Sequence, residues 1–281
     1  MRHLSASTVT ESVKKLCIEA NFELPQDVLD RIIQMRDHEE SSIARYVLDQ
    51  IIENAAIAKK NKLPLCQDTG FAVLFLEKGR DLVIDEPGLE YAIDEGVSKG
   101  YTESYLRPSI LKDPLDRNSN TSDNTPPIIW CDTVDGDKLT ITFIAKGGGS
   151  ENMSRLEMLT PLDGLEGVFD FVLNTIKKAG GNPCPPVVVG VGIGGTIEKC
   201  AQISKKALLR KFGSRNPNPK YAELETRLLD AINKTGIGPM GLGGKTTALE
   251  VFIETHPCHI ASLPVAVNFN CHSSRHKTVV L

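Results

Sequence analysis

The sequence predicts an α/β fold, with α+β as the open alternative: a helical N-terminal layer packed on a mixed sheet, within a single domain. Three observations predict it. Apolar residues recur at helical spacing through the first sixty residues. Beyond them, short runs rich in valine, isoleucine and phenylalanine alternate with further helical patterns. The composition, 41% hydrophobic and 24% charged over 281 residues, is that of a folded domain with enough chain for one substantial core. Residues 1–281 are therefore read as one domain, with 1–60 as the helical layer and 61–281 as the core that carries the chemistry.

The elements follow in order. Thr8-Val-Thr-Glu11 has the pattern of a capping box, and Val9, Val13, Leu16, Cys17 and Ala20 form a helical stripe behind it. Pro25 is placed to open a second helix, with Val28, Leu29, Ile32 and Ile33 buried. A third helix starts near Ser42 and carries Ile43, Tyr46, Val47 and Ile51 towards Lys60. The apolar run 71–76 reads as a strand, and Leu89, Ala92, Ile93 and Val97 as a helix after Pro87-Gly88. Residues 101–127 are irregular. Runs 128–134 and 138–145 flank Asp135-Gly136 and predict a β-hairpin. A helix opens at Asp163 and ends at Gly180-Gly181; a valine-rich strand and another helix follow. Residues 216–233 read as a polar helical hairpin, and a strand-like run leads from His259 to Asn270. No repeat or low-complexity segment is visible.

Charge and composition exclude several functions. Lys plus Arg is 32 against 36 Asp plus Glu, a net charge of −4, and aromatics are 5%. That balance supports neither nucleic-acid nor membrane-surface binding. No apolar run approaches the ~20 residues that span a bilayer, and the N-terminus lacks a signal-peptide pattern, so a cytoplasmic protein is expected. Seven cysteines are an odd number, which disfavours a disulfide framework. Cys17, Cys131 and Cys200 are read as packing residues.

The remaining cysteines sit in unusual settings. Pro64-Leu-Cys-Gln-Asp-Thr-Gly70 packs a thiol, an amide, a carboxylate and a hydroxyl ahead of a strand. Cys184 stands between Pro183 and Pro185, which fix its backbone and deny it an ordinary helix or central strand. Cys271 lies in Asn270-Cys-His-Ser-Ser-Arg-His276, at the end of a strand-like run. Cys258, in His256-Pro-Cys-His259, is a lesser candidate. Arg107, beside Pro108, suits a bidentate grip on a carboxylate. Gly147-Gly148-Gly149 could present backbone N–H groups to an anion.

Two glycine motifs are decoys. Gly190, Gly192 and Gly195 fit G-x-G-x-x-G after a strand, but no acidic strand end follows at the distance a dinucleotide site needs. Gly244-Lys-Thr resembles a phosphate loop, yet Pro239 occupies the position of the first glycine.

Cys66, Cys184 and Cys271 are far apart in sequence, unlike the tight pairs of zinc sites and ferredoxins. Three thiolates nonetheless suit a four-iron cluster in which one iron lacks a protein ligand and is free to act as a Lewis acid.

Leu65-Cys-Gln-Asp-Thr-Gly70, Lys146-Gly-Gly-Gly-Ser-Glu-Asn152, Cys184-Pro-Pro, Gly194-Gly-Thr196, His256-Pro-Cys-His259 and Pro264-Val-Ala-Val-Asn-Phe-Asn-Cys-His272 together closely resemble the class I, iron–sulfur fumarases and tartrate dehydratases. The likeness spans nearly the whole chain, in order, and matches the α subunit or the N-terminal portion of one-chain enzymes. It implies an oxygen-sensitive [4Fe–4S] hydro-lyase interconverting a 2-hydroxy dicarboxylate and its dehydrated product. By that resemblance Cys66, Cys184 and Cys271 hold the cluster, and Gln67 and Asp68 face the substrate. Arg107 takes a carboxylate, Gly149 and Asn152 give backbone or amide contacts, and His259 contacts the substrate and handles a proton. It also implies a β subunit, in an α2β2 complex, that supplies the proton-abstracting base, so this chain is expected to be inactive alone. Malate to fumarate is the first expectation for the substrate, L-tartrate the alternative. A cluster-bearing sensor or assembly protein without turnover is the reading from another class.

Overall fold

A computed structural model describes the whole chain, residues 1–281. In chain order its elements are β1 (Arg2–Leu4), α1 (Ala6–Phe22), α2 (Gln26–Asp37), α3 (Ser42–Asn61), β2 (Phe71–Gly79), β3 (Leu82–Ile84), α4 (Leu89–Glu103), β4 (Ile128–Val134) and β5 (Leu139–Lys146). There follow α5 (Gly148–Glu151), β6 (Arg155–Leu159), α6 (Gly164–Ala179), β7 (Val187–Gly194), α7 (Ile197–Ala207), α8 (Pro219–Asn233), β8 (Ala248–His256), β9 (Leu263–Asn270) and β10 (His276–Val280). This is the expected α/β class. Two compact units divide the chain: residues 1–25, 55–148 and 275–281 form the first, and 26–54 and 149–274 the second. Accordingly α1 lies in the first unit, α2 in the second, and α3 runs from one into the other.

In the first unit a four-stranded sheet has the order β10-β5-β2-β4, with a small parallel pair, β1 and β3, beside it in sequence. The core joins Val9, Val13, Leu16 and Cys17 of α1 to Ile93, Val97 and Tyr101 of α4 and to Leu74, Leu76, Ile141 and Phe143 of the sheet. Each such aliphatic side chain contributes about 1.5–3 kcal/mol on burial. α1 starts earlier than the Thr8–Glu11 pattern implied. Its N-cap is Ser5, whose hydroxyl accepts from the Thr8 N–H at 3.2 Å, so Thr8 sits in the first turn.

The expected hairpin does not form, because β2 lies between its two strands. β5 pairs antiparallel and β4 parallel with β2. Five consecutive residues of β2, Ala72 to Leu76, are buried, whereas β4 is mostly exposed. A strand covered on both faces belongs in the interior of a sheet, and the polar-faced strand at its edge. The Asp135-Gly136 turn is real, but it straddles the end of β2: Arg80 N–H reaches Val134 O and Gly79 N–H reaches Lys138 O. Cys131, expected to be packed, is exposed on this edge strand.

In the second unit the sheet order is β6-β9-β7-β8, with β7 parallel to β8 and antiparallel to β9. Val168, Phe171, Val172 and Ile176 of α6 and Leu224, Leu228 and Ile232 of α8 cover Val187, Val189, Val191, Val265 and Val267. The expected helical hairpin at 216–233 is one helix, α8, capped by Asn218 and opened by Pro219. No helix is long and apolar enough to cross a membrane.

Candidate active site

The first unit builds the Cys66 loop. Cys66 is half-buried and Gln67 exposed, and the thiol donates to Gln67 Oε1 at 3.3 Å. Asp68 ties the loop to the glycine-rich stretch: Gly70 N–H donates to its Oδ1 at 2.9 Å and Gly148 N–H to its Oδ2 at 2.8 Å. A carboxylate accepting two backbone N–H groups is held in one orientation, and each oxygen keeps a lone pair for another donor. Gly70 is required here. Its φ is +75°, and a Cβ would stand 2.6 Å from Lys146 O. Thr69 Oγ1 donates to the carbonyl of Arg107 at 2.8 Å, which brings that arginine beside the loop with its side chain exposed.

Beneath the loop, buried side chains from distant elements hold three successive carbonyls. Arg275 Nη1 donates to Asp68 O at 2.7 Å and to Asn21 Oδ1 at 3.1 Å. Tyr101 Oη donates to Thr69 O at 2.8 Å and to Gly70 O at 3.3 Å, and Asn124 Nδ2 to Gly70 O at 3.0 Å. Leu65 N–H donates to Asn21 O at 2.8 Å. The sequence reading missed Arg275, Tyr101, Asn124 and Asn21. The one available signal was Arg275 and Asn124 standing in polar, irregular stretches, which single-sequence reasoning treats as solvated.

The second unit brings two cysteines together. Cys184 has φ +55°, a left-handed conformation uncommon for a residue with a side chain, and its carbonyl accepts from the His272 N–H at 3.3 Å. The His272 ring nitrogen Nδ1 lies 3.1 Å from the same oxygen, so the residue after Cys271 is latched to Cys184. Both cysteines are half-buried. Gly149, in the short α5, stands near the Cys184 loop: a Cβ there would lie 3.8 Å from Asn182 O. Asn152 is exposed one turn on. His259 lies in the exposed loop after β8, where its Nδ1 accepts from Ala261 N–H at 3.2 Å. With Nδ1 accepting, the neutral ring carries its hydrogen on Nε2, as a donor. Cys258 is exposed and donates to Ser262 O within that loop.

The cysteines fall into two chemical sets. Burial pushes the Cys200 thiol up to about 12 and that of Cys17 higher still, so both stay protonated as small apolar residues. Cys200 donates to Gly192 O at 3.2 Å inside the α7–β7 packing. Cys66, Cys184 and Cys271 sit at loop positions with partial exposure, and no cysteine forms a disulfide. Accessible thiols on conformationally fixed loops are the donor chemistry an iron–sulfur cluster needs. No three Cys, His, Asp or Glu side chains gather as a ligand set for a single metal ion.

Both decoys have internal explanations. Gly190 and Gly192 lie within β7, where a Cβ would come 2.1 Å from Ser204 O and 2.2 Å from Cys200 O, so they seat α7 on the strand. The Gly244-Lys-Thr amides are already filled by an anion, the carboxylate of Glu39. Thr246 N–H and Oγ1 donate to Glu39 Oε2 at 2.9 and 2.8 Å, and Lys245 N–H at 3.0 Å. A cavity of about 230 Å³ in the second unit, lined by Leu165, Ile193, Tyr221 and Leu263, contains none of the candidate residues.

A family model described as fumarate hydratase (Fumerase) matches residues 10–280. The chain is 46% identical over 272 residues to a protein named "Putative L(+)-tartrate dehydratase subunit alpha" from Methanocaldococcus jannaschii, covering 95% of each chain. It is 36% identical over 288 residues to the L(+)-tartrate dehydratase subunit alpha of Escherichia coli O157:H7, covering 99% of this chain and 94% of that one. With the motifs in order along the chain, these matches show that it belongs to the fumarate hydratase family of hydro-lyases.

Proposed function

We propose that this chain is the α subunit of an L(+)-tartrate dehydratase, removing water from a 2-hydroxy dicarboxylate in complex with a β subunit. The observation that carries the substrate is the likeness, at 36–46% identity over nearly the whole chain, to relatives named for that reaction. This revises the first expectation, malate, which keeps the support of the family model's own description.

A [4Fe–4S] cluster on Cys66, Cys184 and Cys271 would supply Lewis acidity to the departing hydroxyl. The protein's own part is to bind and orient. Arg107 grips one carboxylate with two parallel N–H donors. The Gln67 amide, the Gly149 N–H and the Asn152 amide complete the polar wall, and His259 Nε2–H donates to substrate or returns a proton to a leaving oxygen. Asp68, pinned by Gly70 and Gly148, accepts from a substrate hydroxyl with its remaining lone pairs. The carbon-bound proton goes to a base on the β subunit.

Anaerobic initial rates on L-tartrate and on malate test the proposal, using the chain with its cluster reconstituted and the β subunit added. The expected result is a kcat/KM at least about tenfold higher for L-tartrate, or about 1.4 kcal/mol in transition-state binding. A ratio inverted in favour of malate would return the reading to fumarate hydratase. A brown, tartrate-insensitive complex with no turnover on either would support the sensor reading.

A further inference from the structure

We infer that Arg275, Tyr101 and Asn124 are positioning residues that aim the Cys66 thiol and the Asp68 carboxylate by gripping three consecutive carbonyls of their loop. The inference deepens the proposed function, on which it rests for the role of Cys66.

The loop between α3 and β2 has no regular backbone ladder, so its buried carbonyls need partners from elsewhere. Water would serve at a surface. Here instead the partners are Arg275 and Tyr101, the two largest fully buried side chains, each 1% exposed, and fully buried Asn124. They come from the segment before β10, from α4 and from the irregular stretch before β4. Three separate parts of the first unit thus converge on Asp68 O, Thr69 O and Gly70 O.

Arg275 is the costliest of the three. Its Nη1 donates to two uncharged oxygens, Asp68 O and Asn21 Oδ1, and its Nε is buried without a partner. A guanidinium kept in the interior with no carboxylate beside it is a poor choice for stability alone. It is a good choice for fixing a carbonyl and for placing positive charge under a loop that carries a carboxylate. Tyr101 adds a donor that never ionises, since burial drives its phenol far above the ordinary value. Asn124 adopts φ +65°, accepts from Ser109 N–H through Oδ1 at 2.8 Å and donates to Gly70 O, so its amide is committed at both ends. Holding the carbonyls fixes the peptide planes that follow Asp68, Thr69 and Gly70, while Leu65 N–H on Asn21 O, a residue that Arg275 also grips through its Oδ1, fixes the chain on the other side of Cys66, so the stretch that carries the side chains at 66 and 68 is held at both ends.

The test compares Tyr101→Phe, Asn124→Asp, Arg275→Gln and Arg275→Lys with the wild type, in the full chain. The main readout needs no cluster: alkylation of each cysteine by iodoacetamide in the metal-free chain, followed peptide by peptide. Tyr101→Phe and Arg275→Gln should change the Cys66 rate about threefold or more while Cys184, Cys271, Cys17 and Cys200 keep theirs. Arg275→Lys should restore part of the difference, because it keeps a donor and the charge. In the reconstituted complex the same variants should lower kcat more than they change KM. Equal rates at Cys66 in all variants, or a rise shared by every cysteine including buried Cys17, would overturn the inference and leave the three residues a structural role only. Failure of the wild type to take up iron would instead overturn the hydro-lyase reading, and the alkylation result would stand on its own. Should Arg275→Gln not fold, Tyr101→Phe, which removes one oxygen, decides.

Discussion

Arg107 is divided between two jobs. Its carbonyl accepts from Thr69 Oγ1, which anchors the main chain beside the Cys66 loop, while its guanidinium remains exposed. The tether fixes where the side chain starts, so the guanidinium is offered from one place beside the loop. Arg107→Lys keeps the charge and removes the planar fork. The expected outcome is a KM for the dicarboxylate raised about tenfold, with a smaller change in kcat, measured by steady-state kinetics of the complex. An unchanged KM would remove Arg107 from the site. Asp68 shows the same economy: two backbone N–H groups fix its carboxylate, so it is at once a strut for the loop and a candidate acceptor.

Among the elements, the α2–α3 connection and the glycine-rich stretch before β8 are joined through Glu39. Burial alone would raise this carboxyl, but hydrogen bonds from Thr246 Oγ1 and from the N–H groups of Lys245, Ser41 and Thr246 outweigh it and hold the value below the ordinary range. In the unfolded chain Glu39 titrates near its usual value of about 4.3. The unfolded state therefore binds the proton more readily. The stabilisation is complete above that value and is lost as pH falls through the lowered folded value. Urea unfolding between about pH 6 and pH 3 should show stability falling with acid, and Glu39→Gln should flatten that dependence. An equally steep dependence in the variant would assign the acid sensitivity to other carboxylates. This arrangement also explains why the Gly244-Lys-Thr stretch misleads in the sequence: the amides do bind an anion, but it is a side chain of the protein's own.

At the scale of the whole molecule, each unit carries one four-stranded sheet, and these two sheets share a pattern of directions. Both run antiparallel, antiparallel, parallel from one edge to the other. Each unit also presents part of the predicted cysteine set on loops at strand ends: Cys66 in the first, Cys184 and Cys271 in the second. Asp68 is held by two N–H groups and His259 Nδ1 by a third, and the proposed function gives the carbon-bound proton to a base on the β subunit. The purified chain, even with its cluster intact, should turn over neither tartrate nor malate, and adding the β subunit should restore activity. Normal turnover by the chain alone would show that the base is here and has been missed.

The sequence by itself determined most of the helices, whose apolar stripes and proline or glycine ends are local, and the three cysteine loops, whose proline and glycine neighbours are local too; the expected hairpin at 216–233 is the exception, being one helix. It also weighed against the dinucleotide reading on the missing acidic residue, and in the structure Gly190 and Gly192 are packing sites for α7. Only the tertiary structure decided which strands pair. The Asp135-Gly136 turn is genuine, yet the apolar run of β2 needs cover on both sides and separates β4 from β5. Only the tertiary structure, too, revealed the grip on the Cys66 loop. Arg275, Tyr101, Asn124 and Asn21 are brought to it from four separate stretches of chain, and nothing in the spacing of those residues encodes a shared partner. Periodicity reports which face of an element is buried; it carries no record of which distant carbonyl a buried donor will meet.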